Sequence, residues 1–438
     1  MIEALVPRIE AVPRFATYGR TTRVVGLVIE ATGLDVPLGE LCRITSLSGE
    51  RSVLAEVVGF HDGGVLLMPY GRLDGVHPGS MVEPLGRSWG VDVGPGLLGR
   101  VLNGLGQPID GKGDLGPTRR VSLQADPVNP LDRRTIDEPL ETGVRAIDGV
   151  LSIGRGQRMG IFAGSGVGKS TLLGMIARRA SADVNVIALL GERGREVRDF
   201  PEDSLGEEGP ARSIVIVATG DESALVRARG ALVATAIAEH FRDQGQQVLL
   251  MVDSVTRVAM AWREIGLAVG EPPTTKGYPP SVFASLPRLL ERAGNGTDGG
   301  ITGIYTVLVE GDDFNEPVAD AVRGILDGHI VLSRDLATAG HFPAIEVLGS
   351  VSRVRDRLID AEHRQAANEV QRLLAAYREK EDLIAVGAYQ AGSDRTVDAA
   401  IEARGGILSF LQQAPDEPSS FTETRERLVS LAAPYLEG

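Results

Sequence analysis

Hydrophobic and polar positions change their rhythm three times along the chain. Over residues 20–85 short apolar runs at 22–30, 39–44, 52–60 and 64–68 are separated by glycines, a spacing that predicts a small antiparallel barrel or sandwich. A glycine-rich stretch at 94–112 (GPGLLGRVLNGLGQPIDGK) reads as a bridge into the next domain. From about residue 158 the runs become β-branched and nearly continuous, at 159–163, 184–190, 213–218, 248–252, 302–309 and 329–332. Continuous runs of this kind suit strands covered on both faces. Helical stretches at 170–179 and 224–243 alternate with them, which predicts an α/β core with a parallel sheet. Beyond residue 360 glycine thins, and Val370, Leu373, Leu374 and Tyr377 fall at i, i+3, i+4 and i+7 on one apolar helical face. Two further helices are expected around 396–404 and 422–432. The resulting division is 1–90 for a barrel with a short leading segment, 91–355 for the α/β domain and 356–438 for a helical domain.

Composition narrows the function classes. Glycine accounts for 55 of 438 residues, about 13% against roughly 7% typically, so tight turns and close backbone approaches carry much of the design. The formal net charge is −14, with no block of Lys or Arg, which disfavours phosphate neutralisation along a nucleic acid. Cys42 is the one cysteine and has no intrachain partner, consistent with a reducing cytoplasm. Residues 1–18 carry Pro7 and Pro13 and no long apolar core, unlike a signal peptide. No apolar run approaches the roughly 20 residues that span a bilayer, so any membrane association is expected to be peripheral.

The chemistry is concentrated at residues 163–170, Ala-Gly-Ser-Gly-Val-Gly-Lys-Ser, between a predicted strand and a predicted helix. That context defines a P-loop. Gly164, Gly166 and Gly168 let the backbone curl, so that N–H groups around Ser165 and Val167 point at phosphate oxygens beside a helix N-terminus. Lys169 is expected to reach the β- and γ-phosphates and Ser170 to ligate Mg²⁺. Ala163 stands where the strict pattern has glycine; it is small, and the cradle is expected to survive. The run at 248–252 ends in Asp253, a carboxylate at a strand's carboxyl edge suited to holding Mg²⁺ through water. Glu192 ends the run at 184–190, where ligands of open parallel sheets bind, and a carboxylate there can orient and deprotonate an attacking water.

These residues lie in stretches with a wider resemblance. GERGRE at 191–196, VLLMVDSVTR at 248–257 and FPAIEVLGSVSR at 342–353 resemble the catalytic headpiece of rotary ATP synthases. EPPTTKGYPPSVF at 271–283, VEGDDFNEPVADAVRGILDGHIVLSR at 309–334 and GRVLNGLGQPIDGKG at 99–113 resemble the flagellar and virulence type III export ATPases. The resemblance covers nearly the whole chain. It implies a β-barrel N-terminal domain, a RecA-like nucleotide domain and a helical C-terminal domain in a homohexamer hydrolysing Mg-ATP. Lys169, Ser170 and Thr171 would bind phosphate and magnesium. Glu192 would be the catalytic base, with Arg193 and Arg257 near the γ-phosphate and Asp253 on magnesium. Phe342 falls where the family stacks an aromatic on adenine. Arg353 matches the arginine finger given to a neighbour's site, with Arg355 and Arg357 as close competitors for that assignment. The implied partners are a stator-like regulatory subunit, a central stalk protein, export substrates and their chaperones, and a membrane export gate approached from the cytoplasmic side.

Two departures stand out. Glu346 replaces the Asp more usual in the ATP-synthase signature, keeping the charge. Leu5, Ile9 and Val12 are roughly helically spaced, yet Pro7 and Pro13 interrupt the leading helix on which a regulator would dock. A subunit of a proton-driven ATP synthase is one rival reading; base and finger within one chain favour a self-sufficient homo-oligomer instead. A ring RNA translocase is the other, but residues 20–85 offer only Phe60 and Tyr70 as a base-stacking platform.

Overall fold

The computed structural model describes residues 17–436, apart from 47, 48, 50, 201–203, 207, 208, 310–312 and 315. The leading segment with Leu5, Pro7, Ile9, Val12 and Pro13 lies outside the described residues. The chain forms two compact units, one of residues 1–90, 223–226 and 261–279, the other of residues 91–222, 227–260 and 280–438.

The first unit is built on a closed six-stranded barrel: β1 (Gly19–Val25), β2 (Val28–Thr32), β3 (Glu40–Thr45), β4 (Ser52–His61), β5 (Gly64–Pro69) and β6 (Met81–Ser88), in the order β1-β2-β5-β4-β3-β6. Closure comes from Gly19 pairing with Val82. Alternate residues point inward, so that Ile29, Ala31, Cys42, Ile44, Val57, Leu67 and Val82 fill the interior. The apolar run at 22–30 is not one strand but a hairpin. Val25 pairs with Val28 across Gly26 and Leu27, and Gly26 takes φ +57°, a turn conformation that glycine adopts without steric cost.

The second unit holds a nine-stranded sheet. Its main strands are β7 (Val101–Asn103), β8 (Arg158–Ala163), β9 (Val184–Glu192), β10 (Ser213–Thr219), β11 (Gln247–Asp253), β12 (Gly300–Leu308), β13 (Gly328–Leu332) and β14 (Val351–Ser352). They run in the order β14-β13-β8-β12-β11-β9-β10-β7, with Gly294–Asn295 added beside β12. Strands β7 to β13 run parallel to one another, while β14 and Gly294–Asn295 lie antiparallel to β13 and β12. The glycine-rich stretch expected to be a bridge therefore contributes the edge strand β7 through Leu102, which pairs with Ile216.

Helix α1 (Lys169–Arg179) follows β8, α2 (Ala224–Arg242) follows β10 and α3 (Val255–Ala268) follows β11. The C-terminal helices are α4 (Ala361–Ala385), α5 (Arg395–Leu411) and α6 (Phe421–Ala432). Each is capped as its sequence dictates: Asp360 accepts from His363 N at 2.9 Å, Asp394 from Thr396 N at 2.8 Å, and Ser420 with Glu423 forms a reciprocal capping box. Helix α5 runs past the expected end near residue 404. Gly406 lets it lie close to α6, since a Cβ there would sit 2.8 Å from Leu431 Cδ1.

These helices share one apolar core with the sheet. Leu172, Leu173 and Ile176 of α1 pack in the same cluster as Val370, Leu373, Ile407, Phe410 and Leu428. Arg145, 2% exposed, pins the junction. Its backbone N–H donates to Gln413 Oε1 at 2.8 Å, and its Nε donates to Phe410 O at 3.0 Å. The guanidinium also bonds Gln412 O and pairs with Glu417. Gln413 in turn donates from its backbone to Phe342 O at 2.9 Å. The C-terminal helices are thereby tied directly to segments that flank the P-loop.

Candidate active site

Strand β8 delivers the chain at Ala163, 1% exposed, into the loop and on to α1. Gly166 has φ +79° and Gly168, the residue before α1, has φ +93°. At Gly166 an added Cβ meets nothing within 4 Å, so glycine is needed there for backbone conformation rather than for space. Val167, 2% exposed, anchors the loop in the core, while Ser165, Ser170 and Thr171 are exposed. Backbone N–H groups at the start of a helix have no intrahelical partner, so this turn presents donors and a helix N-terminus together. That is the environment an anionic phosphate chain requires.

Three strand ends bring the charged residues together. Glu192 closes β9 just after a register shift against β10 between Leu190 and Glu192. Gly191, at φ +72°, is the extra residue of this bulge, and bulges re-aim the side chain that follows. Glu192 Oε1 lies 3.3 Å from Lys169 Nζ. Asp253 closes β11 and pairs with the same ammonium. Its side chain is 5% exposed, and its Oδ1 also accepts a hydrogen bond from Thr306 Oγ1 at 2.6 Å. Ser170, Glu192 and Asp253 line one cleft with Glu196 and Asp199.

Burial of Lys169 works to neutralise it, but the Asp253 and Glu192 carboxylates outweigh burial and raise its pKa. Burial also raises the pKa of Glu192; the Asp253 charge adds to this and Lys169 opposes it. The cluster thus holds a firmly charged ammonium beside a carboxylate with enhanced affinity for a proton, the property wanted of a general base.

Arg257 approaches from α3. A Cβ on Gly191 would lie 3.0 Å from Arg257 Cβ and Cγ, and the buried Arg257 Nε has no hydrogen-bond partner among the described residues. An orphaned guanidinium donor beside Glu192 fits an anionic ligand. Among the described residues no group of three or more His, Cys, Asp or Glu is placed to enclose a metal ion. Two carboxylates and the Ser170 hydroxyl suit Mg²⁺, which keeps waters and binds through substrate phosphates rather than in an all-protein cage.

Phe342 is 45% exposed, and a Cβ on Gly168 would sit 3.6 Å from its ring. The ring lines a surface pocket with Arg145, Gln412, Glu417 and Arg427. Arg193 does not join the charged cluster: its side chain is 82% exposed and faces Glu196 at 3.8 Å. Arg353 lies elsewhere on the same sheet. It is exposed, and its backbone N–H donates to Asp327 O at 3.0 Å, beside the start of β13. The cradle lies at the other end, where Ala163 pairs with Leu332. Five-residue β13 separates the two by roughly 13 Å at about 3.3 Å per residue. Arg355 is held on α4 by Gln371 Oε1 at 2.9 Å and Asn368 Oδ1 at 2.6 Å. Glu346 accepts from Leu348 N at 3.2 Å, supporting the turn that leads to Arg353, and pairs with Arg378 of α4.

Thr306 and Arg145 are the residues that sequence reading missed. Each left a faint trace: a hydroxyl near the carboxyl end of a buried strand, and a lone charge in the apolar stretch Val144–Arg145–Ala146–Ile147.

Models of known families match three segments. Residues 21–86 match the ATP synthase alpha/beta family beta-barrel domain, 143–352 its nucleotide-binding domain, and 359–430 the T3SS EscN ATPase C-terminal domain. The flagellum-specific ATP synthase of Bacillus subtilis is 55% identical over 430 residues, covering 98% of each chain. The type 3 secretion system ATPase of Xanthomonas euvesicatoria is 53% identical over 414 residues, covering 94% of each. The structure of the assembled ATPase EscN from the enteropathogenic E. coli type III secretion system matches with a TM-score of 0.90 at 46% identity, covering 94% of this chain and 100% of that one. EscN in complex with its central stalk EscO matches with a TM-score of 0.87. With the barrel, the P-loop sheet and the C-terminal helices each accounted for, the chain belongs to the nucleotide-binding ATPase family of flagellum-specific ATP synthases and type 3 secretion system ATPases.

Proposed function

We propose that this chain hydrolyses Mg-ATP at the Lys169–Glu192–Asp253 cluster and works as a homohexameric motor for protein export through a type III apparatus, the flagellar one foremost. The observation that carries this reading is the convergence of one ammonium and two carboxylates at the carboxyl edge of β9 and β11, directly beside the cradle. In this reading the backbone from Gly164 to Gly168 and the first turn of α1, through Thr171, cradle the phosphates. Phosphate oxygens compete with Asp253 and Glu192 for Lys169. Ser170 and Asp253 would hold Mg²⁺, which supplies charge neutralisation on the phosphates when bound. Glu192 takes a proton from the attacking water, and its raised pKa favours that acceptance. Arg257 offers its unpartnered Nε to the anion, and Arg193 is exposed enough to swing inward. Phe342 offers an exposed ring face for adenine.

Arg353 completes the site of a neighbouring copy. Its exposure, and its place at the far end of β13 from its own cradle, support that assignment. Arg355 is already committed to Gln371 and Asn368, which favours Arg353 over it. The functional divisions are 1–90, 91–355 and 356–438. In the cell the ring would sit in the cytoplasm against the inner membrane face, working with a stator-like regulator, a central stalk, an export gate, chaperones and export substrates, and with no nucleic acid. Among the described residues no helix is long and apolar enough to cross a membrane. The test is Mg-dependent ATPase activity of the purified chain, together with loss of flagellar or virulence-protein export in cells carrying Glu192→Gln. Intact export in that strain would overturn the reading.

A further inference from the structure

Strand β12 is fully buried over Gly300–Val307, and Thr306 within it is 0% exposed. A buried hydroxyl must find a partner, and Thr306 has two oxygens in reach. Val252 O lies at 3.4 Å and Asp253 Oδ1 at 2.6 Å. One hydroxyl hydrogen serves one strong bond, and the shorter contact has the length of a charge-assisted O–H···O⁻ bond. Lys169 meets the same carboxylate oxygen. Both partners therefore use Oδ1, while Asp253 lines the cleft with Ser170 and Glu192. The second oxygen, Oδ2, has no hydrogen-bond partner among the described residues.

Lys169 cannot by itself fix the Asp253 carboxylate, because phosphate competes for its ammonium. Thr306 can, since it is fully buried on a central strand of the sheet with its hydroxyl directed at that carboxylate. We propose that Thr306 is a positioning residue for the metal: its hydroxyl anchors Asp253 Oδ1 and thereby aims Oδ2 at the divalent cation of the bound nucleotide. The inference rests on Asp253 facing that cation, and it assigns Thr306 a part in metal affinity rather than in the chemical step. An outer partner of this kind typically contributes about 10–100-fold in metal affinity.

The experiment measures Mn²⁺ binding by the electron paramagnetic resonance signal of free Mn²⁺, with a non-hydrolysable ATP analogue at saturation, on the full chain. Circular dichroism melting is recorded alongside. Thr306→Val keeps the volume and removes the donor; Thr306→Ser keeps the donor. Thr306→Val is expected to weaken Mn²⁺ binding about tenfold or more and to raise the Mg²⁺ needed for half-maximal ATPase by a similar factor. Thr306→Ser is expected to stay close to wild type in both. Wild-type Mn²⁺ affinity in Thr306→Val, or equal weakening in Val and Ser variants, would overturn the role of the hydroxyl. Thr306→Cys, with only a weak donor, takes the place of Val if Val does not fold. Asp253→Asn separates the two levels of the argument. Wild-type affinity there would overturn Asp253 as a metal-facing residue, whereas weak binding there beside normal binding in Thr306→Val would overturn Thr306 alone.

Discussion

Lys169 Nζ lies 3.3 Å from Glu192 Oε1, so the residue read as the phosphate grip and the residue read as the base share one charge. That contact links nucleotide binding to base strength. A Lys169 drawn toward phosphate leaves Glu192 less compensated, and a less compensated carboxylate holds a proton more tightly.

Lys169→Ala is expected to cut ATPase activity to below about a tenth of wild type, because phosphate charge in the transition state loses its fixed cation. Far-UV circular dichroism of the variant is expected to match wild type. A variant that folds and keeps its turnover would contradict the cradle.

Glu192→Gln is expected to bind Mg-ATP and hydrolyse it roughly 10²–10⁴-fold more slowly, since the amide accepts no proton. Fluorescent-nucleotide binding and single-turnover rates check the two halves separately. Loss of binding with the rate constant unchanged would make Glu192 structural.

The pH profile follows from the raised pKa of Glu192. A base works when deprotonated, so activity is lost as pH falls through its pKa. The acid limb of kcat/KM is expected above the ordinary carboxylate value of 4.5. A profile flat to pH 4.5 in a folded enzyme would contradict the assigned environment.

Arg145→Ala is expected to destabilise the second unit by roughly 1–3 kcal/mol, the usual cost of leaving buried acceptors without their donor, while Glu417, 39% exposed, can turn to water. It leaves Glu417 and the Gln412 and Phe410 carbonyls without their donor. Thermal melting measures this, and an unchanged midpoint would show that the junction is held by other contacts.

Legibility in the sequence followed the range of each interaction. The cradle was readable because its residues are consecutive and its context, strand then helix, is local. Glu192 and Asp253 were readable as strand ends, but their shared contact with Lys169 exists only once β9 and β11 lie side by side. The hairpin at Gly26 was read as one strand because apolar residues continue through the turn. Strand β6 was passed over because Pro84 and Gly86 break its pattern, although barrel closure against β1 and β3 overrides that local weakness. Strand β7 is three residues among glycines and acquires its place in the sheet only by pairing with β10. Helix α5 was cut short at Gly405–Gly406, where packing on α6 outweighs glycine's poor propensity.

We propose that one copy's Glu192 acts with the next copy's Arg353. A finger of this kind is worth on the order of 10³–10⁵ in other nucleotide hydrolases, and head-to-tail contacts close into rings. The decisive measurement is ATPase activity of mixtures of Arg353→Ala and Glu192→Gln proteins at several ratios, under subunit exchange, with mixed rings verified by mass. Each variant alone is expected to be nearly inactive, and the mixtures are expected to regain partial activity at interfaces where intact Glu192 meets intact Arg353. No recovery at any ratio in verified mixed rings would show that Arg353 does not act on a neighbour's site.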